Sequence, residues 1–137
     1  MLTTITREEL KAKLDREEDF VLVEALPEKI FQHAHLPGAV NLPAERVGEL
    51  AHELLPSKDA EIVVYCSDPA CPDSEKAARE LAEMGYKNVR DYVEGKVGWM
   101  RAGLPVERGT VGGQLEGSQA RGEEDTHPPW WRRFVGG

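Results

Sequence analysis

EIVVYCSDPACPDSEKAARELAEMG, residues 61–85, joins a strand, a cysteine-bearing loop and a helix in one run. Ile62, Val63, Val64 and Tyr65 are continuously apolar and rich in β-branching, the pattern of a strand covered on both faces. Cys66 stands at its carboxyl end. Ser67, Asp68, Pro69, Ala70, Cys71, Pro72, Asp73 and Ser74 then form a loop, with Pro and polar residues that do not continue a strand. Beyond it Ala77, Ala78, Leu81, Ala82 and Met84 line one helical face, and Gly85 is placed to close that helix in a left-handed turn. One unit of a parallel α/β sheet is the expectation.

Toward the N terminus the same patterns recur. Phe20–Val23 are a second buried-strand run, which ends at Glu24. Pro27 opens a short helix in PEKIFQHA, LPGAVNLP reads as a turn into a short strand, and Val47, Leu50, Ala51 and Leu54 keep a helical period until Pro56. Thr6 and Glu9 form a capping box, with Ile5 and Leu10 as its hydrophobic staple, so a helix should run from about Arg7 to Leu14. Toward the C terminus, residues 88–93 are a further strand, followed by a short helix over 97–101 in which Trp99 reads as core. Strands alternating with helices at these spacings imply a mainly parallel sheet with helices on both faces, in one domain over residues 1–108.

Residues 109–137 differ. They are Gly-rich and polar without an apolar period until the closing WWRRFV, which holds three of the chain's nine aromatics. Such a cluster is expected to dock on this domain, on a second copy in self-association, or on a partner.

The chain of 137 residues has 40% apolar and 31% charged residues and a mean hydropathy of -0.49, which places it with globular rather than membrane or disordered proteins. A net charge of -8 makes nucleic acid and anionic membranes poor partners. No apolar run approaches a span, and the start lacks the pattern of a signal peptide, so a cytoplasmic location is expected. Two cysteines only five residues apart in a reducing compartment suggest reactivity rather than a disulfide scaffold.

The position of Cys66 has a chemical use. Unpartnered amides of a tight loop and of a helix's first turn can hold an anion or a thiolate. Lowering a thiol pKa from roughly 8.5 to roughly 7.5 takes about 1.4 kcal/mol, within reach of a helix terminus. Asp68 and Asp73 would oppose this if their carboxylates turned inward. The competing reading is a buried structural cysteine. Cys71 is either a resolving thiol or a small packing residue. With His33 and His35 the cysteines make four possible ligands, but paired metal-ligand spacing is missing and no metal site is expected. His33 reads as solvated, His35 as bracing a turn. Glu24, at a strand end, is a salt-bridge or cap residue, or a group lining a pocket mouth.

From Ile5 to Glu107 the chain resembles the rhodanese-like domain family in three ordered strings: VLVEALPEKIFQHAHLPGAVNLP, VVYC and YVEGKVGWMRAGLPVE. The resemblance implies a five-stranded parallel sheet flanked by helices. It also implies a cysteine that takes up sulfane sulfur as a persulfide and passes it to a thiophilic acceptor, without a cofactor. Cys66 matches that cysteine, and His35 matches the histidine before the Pro-Gly turn. The chain departs from the pattern in carrying Glu24 where members often have Asp and Ala25 where Arg commonly follows. No basic residue lies between Cys66 and Glu75. For the dianion thiosulfate only backbone amides and Lys76 remain, so it should be a poor donor. The loop is also longer than the usual sulfurtransferase loop. The family's longer-loop branch includes Cys-Arg phosphatases, whose chemistry needs a loop arginine absent here, so phosphatase activity is not expected. The leading reading is a sulfurtransferase or persulfide carrier with a small sulfur donor and a thiol or protein acceptor. Its rivals are a thiol redox protein cycling Cys66 and Cys71, and a catalytically silent docking module.

Overall fold

A computed structural model describes residues 3–109 and the backbone of 115–116. In chain order its elements are β1 (Thr3–Ile5), α1 (Arg7–Asp15), β2 (Val21–Glu24), α2 (Glu28–His33) and β3 (Val40–Asn41). A 3-10 turn (Ala44–Arg46) leads into α3 (Val47–Leu54), then β4 (Glu61–Tyr65), α4 (Asp73–Glu83), β5 (Asn88–Tyr92), α5 (Gly95–Arg101), β6 (Val106–Glu107) and β7 (Leu115–Glu116). The first five strands form one sheet in the order β1-β5-β4-β2-β3, and every pairing in it is parallel. β6 and β7 form a separate antiparallel pair, so residues 115–116 of the polar tail return to the domain. The WWRRFV cluster and its expected docking lie outside the described residues. Among those described, no helix is long and apolar enough to cross a membrane.

Strand alternation explains why the central runs are apolar throughout. In β4, Val63 and Tyr65 face one core with Leu10, Leu22, Phe31, Tyr92 and Trp99, while Ile62 and Val64 face a second with Val23, Val47, Ala77 and Leu81. Each face is covered by helices, so neither set meets water. At about 1.5–3 kcal/mol per fully buried aliphatic side chain, these two layers supply the main drive for folding.

Local signals are realised in the geometry. Thr6 Oγ1 accepts from the Glu9 amide at 3.1 Å and Glu9 Oε1 accepts from the Thr6 amide at 2.9 Å, completing the capping box of α1. Gly85, at φ 102°, ends α4, and the Tyr86 amide reaches back to the Leu81 carbonyl at 3.1 Å. β1 was not signalled: Thr3 and Thr4 are exposed, and only pairing with β5 makes the segment a strand.

Candidate active site

Parallel pairing puts the carboxyl ends of β2, β4 and β5 side by side, with Glu24 opposite Tyr65 and Tyr65 opposite Tyr92. Cys66 leaves β4 at that edge, as sites in open parallel sheets do. What fixes its backbone is the start of α5. The Lys96 amide donates to the Cys66 carbonyl at 2.9 Å and the Val97 amide to the Ser67 carbonyl at 2.8 Å. Gly95 permits the approach: at φ +72° it sits so close that a Cβ would lie 2.8 Å from the carbonyl carbon and oxygen of Ser67 and 2.9 Å from the Asp68 nitrogen.

The loop then turns on itself. The Cys71 amide donates to the Asp68 carbonyl at 3.0 Å, and Asp68 Oδ1 accepts from the Ala70 amide at 2.9 Å. The Asp68 carboxylate thus serves the loop's own backbone. α4 begins at Asp73, so Asp73 and Ser74 belong to its first turn rather than to the loop. Pro69, Ala70 and Pro72 are exposed, Ser67 and Cys71 half-buried, and Lys76 lies exposed along α4.

Cys66 itself is 1% exposed, and its thiol donates to the Cys71 carbonyl oxygen at 3.4 Å. Both features work against the activation expected of Cys66. Burial, reinforced by the neighbouring Cys71, pushes its thiol up to about 11, although the Ser74 hydroxyl and amide oppose the rise. A carbonyl facing a sulfur favours the protonated thiol. Cys71 moves the other way. Burial raises it, but the Cys66 thiol and the Ser67 and Asp73 backbones together bring its thiol below the ordinary value. Cys71 is also the more exposed of the two, half-buried where Cys66 is covered. At neutral pH a small alkylating agent should therefore label Cys71 well before Cys66, as peptide mapping of partly alkylated protein will read; Cys66 labelled first would contradict this order.

A cavity of about 290 Å³ opens beside the loop, with Pro69, Cys71, Ser74, Glu75, Arg79 and Asp91 among its lining. Arg79 is its cation, already held by Glu75 at 2.8 Å. Asp91, on β5, is 6% exposed, and its Oδ1 has no hydrogen-bond partner. Burial pushes its carboxyl up, with the Ser74 hydroxyl opposing. Sequence reasoning passed over Asp91 and Arg79, because only the sheet order and the pitch of α4 bring them to the loop.

Glu24 is not at a pocket mouth. It is wholly buried, its Oε1 accepting from the Tyr65 hydroxyl at 2.6 Å and its Oε2 paired with Lys96 Nζ at 3.0 Å. Lys96 was missed as well. Its signal is a lone charge inside the otherwise uncharged run GKVGWM. Lys96 Nζ also donates to the Ala34 carbonyl, and the Tyr65 hydroxyl accepts from the Leu36 amide at 2.9 Å, so one polar chain ties β2 and β4 to the Pro-Gly turn. His35 lies next to it, stacked on Phe31 at 3.7 Å, with Nδ1 2.7 Å from the Phe31 carbonyl and Nε2 3.2 Å from Glu107. It braces the turn through Phe31 and Glu107, and His33 is exposed. Among the described residues no group of His, Cys, Asp and Glu is arranged to hold a metal ion.

The Rhodanese-like domain family model matches residues 6–102. The chain is 34% identical over 108 residues to the HTH-type transcriptional regulator Rv0324 of Mycobacterium tuberculosis, a match covering 77% of this chain and 45% of that protein. It is 33% identical over 90 residues to the thiosulfate sulfurtransferase GlpE of Actinobacillus succinogenes, covering 66% of this chain and 78% of that one. The crystal structure of a thiosulfate sulfurtransferase from Pseudomonas aeruginosa superposes with a TM-score of 0.71 and 29% identity, over 81% of this chain and 21% of that one. The chain spans less than half the length of several of its relatives.

Proposed function

The chain belongs to the rhodanese-like domain family, and on that premise we propose that it transfers sulfane sulfur through a persulfide on Cys66. The observation that carries this reading is the placement of Cys66 at the carboxyl end of the central strand, in a loop pinned by the amides of α5. In the first step the Cys66 sulfur attacks the sulfane sulfur of a donor such as a cysteine persulfide. A Cys66 S–S bond forms, the donor's S–S bond breaks, and the donor leaves with the bonding pair as a thiolate. The proton that Cys66 gives up passes by way of solvent to the departing donor thiolate. In the second step an acceptor thiolate attacks the outer sulfur and regenerates Cys66.

Charge selects the donor. The loop carries a carboxylate at Asp68 and α4 opens with another at Asp73, the nearest cavity cation is neutralised by Glu75, and nothing basic lies between Cys66 and Glu75. A donor of low charge suits it better than thiosulfate. Phosphoryl transfer would require the same missing arginine.

Intact-mass measurement tests the reading. Pulsing the reduced protein with cysteine persulfide should add roughly 32 Da, one sulfur atom, faster than an equal concentration of thiosulfate does, and Cys66→Ser should lose at least about tenfold in loading. Undiminished loading of Cys66→Ser would transfer the role to another residue.

A further inference from the structure

We propose that Cys71 is a resolving cysteine, so that the loaded protein closes a Cys66–Cys71 disulfide and releases sulfide. The inference rests on Cys66 being the sulfur-accepting thiol and extends that reading from carriage of sulfur to its reductive release.

Three features bring the second sulfur to the first. The turn closed by the Cys71 amide on the Asp68 carbonyl folds residue 71 back over residue 66, and the Cys71 carbonyl oxygen stands 3.4 Å from the Cys66 sulfur. The two cysteines are in direct contact within the loop and both thiols are free. Cys71 also lines the cavity beside the loop, whereas Cys66 is covered, so the second thiol has the open side of the pair.

The step balances without an outside oxidant. The Cys71 thiolate attacks the inner sulfur of the Cys66 persulfide, a Cys66–Cys71 bond forms, and the bond to the outer sulfur breaks. That outer sulfur departs with the bonding pair as hydrosulfide. Two electrons have passed from the two protein thiols to the sulfane sulfur, which is reduced to sulfide. An external dithiol, or two monothiols in succession, then returns the disulfide to the reduced pair. The cavity wall carries the acidic Asp91, and its one cation is engaged by Glu75, so an expelled anion is not retained. Because the resolving thiol is on the same short loop, its effective concentration exceeds that of a dilute external acceptor.

Time-resolved intact mass and a sulfide assay decide between release and carriage. After a pulse of cysteine persulfide and removal of excess donor, the wild-type protein should lose the added roughly 32 Da, end about 2 Da below the reduced mass, and liberate sulfide. Cys71→Ser and Cys71→Ala should both still gain the roughly 32 Da, hold the persulfide at least about tenfold longer, and release little sulfide. Equal persulfide lifetimes in all three proteins, with no disulfide in the wild type, would overturn the resolving role while leaving the Cys66 reading intact. Failure of wild type and both variants to load would overturn that reading, and the inference with it.

Discussion

Lys96→Met is expected to cost about 3–5 kcal/mol of folding stability, the range for breaking a buried ion pair from one side. The wild-type side chain neutralises Glu24 at 3.0 Å and also satisfies the Ala34 carbonyl. Methionine fills similar volume but leaves a buried carboxylate with the Tyr65 hydroxyl as its hydrogen-bond donor and no ammonium beside it. For a domain whose total stability is of order 5–15 kcal/mol, the loss is a large share. Changing both partners, Glu24→Gln with Lys96→Met, should recover most of it, because no buried charge then remains. The pH dependence has a definite sign. Burial pushes the Glu24 carboxyl above its ordinary value, with Lys96 the foremost opposing influence, and removing Lys96 raises it further. A carboxyl raised in the folded state contributes stability below its unfolded pKa and loses that contribution as pH rises through its folded value. The single variant should therefore be closest to wild type in acid and fall behind toward neutral pH. Urea titrations at several pH values will read this; a cost below about 1 kcal/mol throughout would show that the pair is not a structural tie.

Gly95→Ala attacks the loop from its other side. A left-handed backbone costs a non-glycine residue about 1–2 kcal/mol, and forcing a methyl into packed surroundings adds about 1–3 kcal/mol. Here the methyl meets main chain at 2.8 Å, which cannot rotate aside. Either α5 withdraws, or the Cys66 and Ser67 carbonyls lose their amide partners. Sulfur loading at Cys66 should drop at least about tenfold, even at temperatures where far-ultraviolet circular dichroism shows the sheet intact. Gly103→Ala is the control: that glycine also has a positive φ, but a methyl there would meet nothing within 4 Å, so it tests the backbone cost alone. Equal loading by the two variants would remove Gly95 from its anchoring role.

The sheet was legible because its determinants are local. Ile62–Tyr65 and Phe20–Val23 announce buried strands by composition, Thr6 and Glu9 announce a helix start, and Gly85 announces a helix end. The place of Cys66 at a strand's carboxyl end follows from the same periodicity. Its electrostatics do not. Whether a loop shows a sulfur its amides or a carbonyl depends on peptide orientation at Cys71, which the turn at Asp68 sets and composition does not encode. Glu24 illustrates the second limit. A lone carboxylate after a strand is compatible with a pocket mouth or a buried pair, and the partner that decides, Lys96, lies in another element on the far side of the chain's midpoint. Asp91 and Arg79 belong to the same class, since their neighbours are chosen by strand order.

The clamp on Cys66 also has a kinetic meaning. Its donors, the Lys96 and Val97 amides, belong to the last helix of the domain, and β1 finds its place only against β5. Contacts of such long sequence separation form late, after the entropy of closing the intervening chain has been overcome. While the chain is being synthesised, Cys66 and Cys71 therefore emerge as two ordinary thiols on an unanchored segment. The Cys66 and Ser67 carbonyls gain their partners only when α5 docks, so an anchored loop is itself the mark of a finished fold.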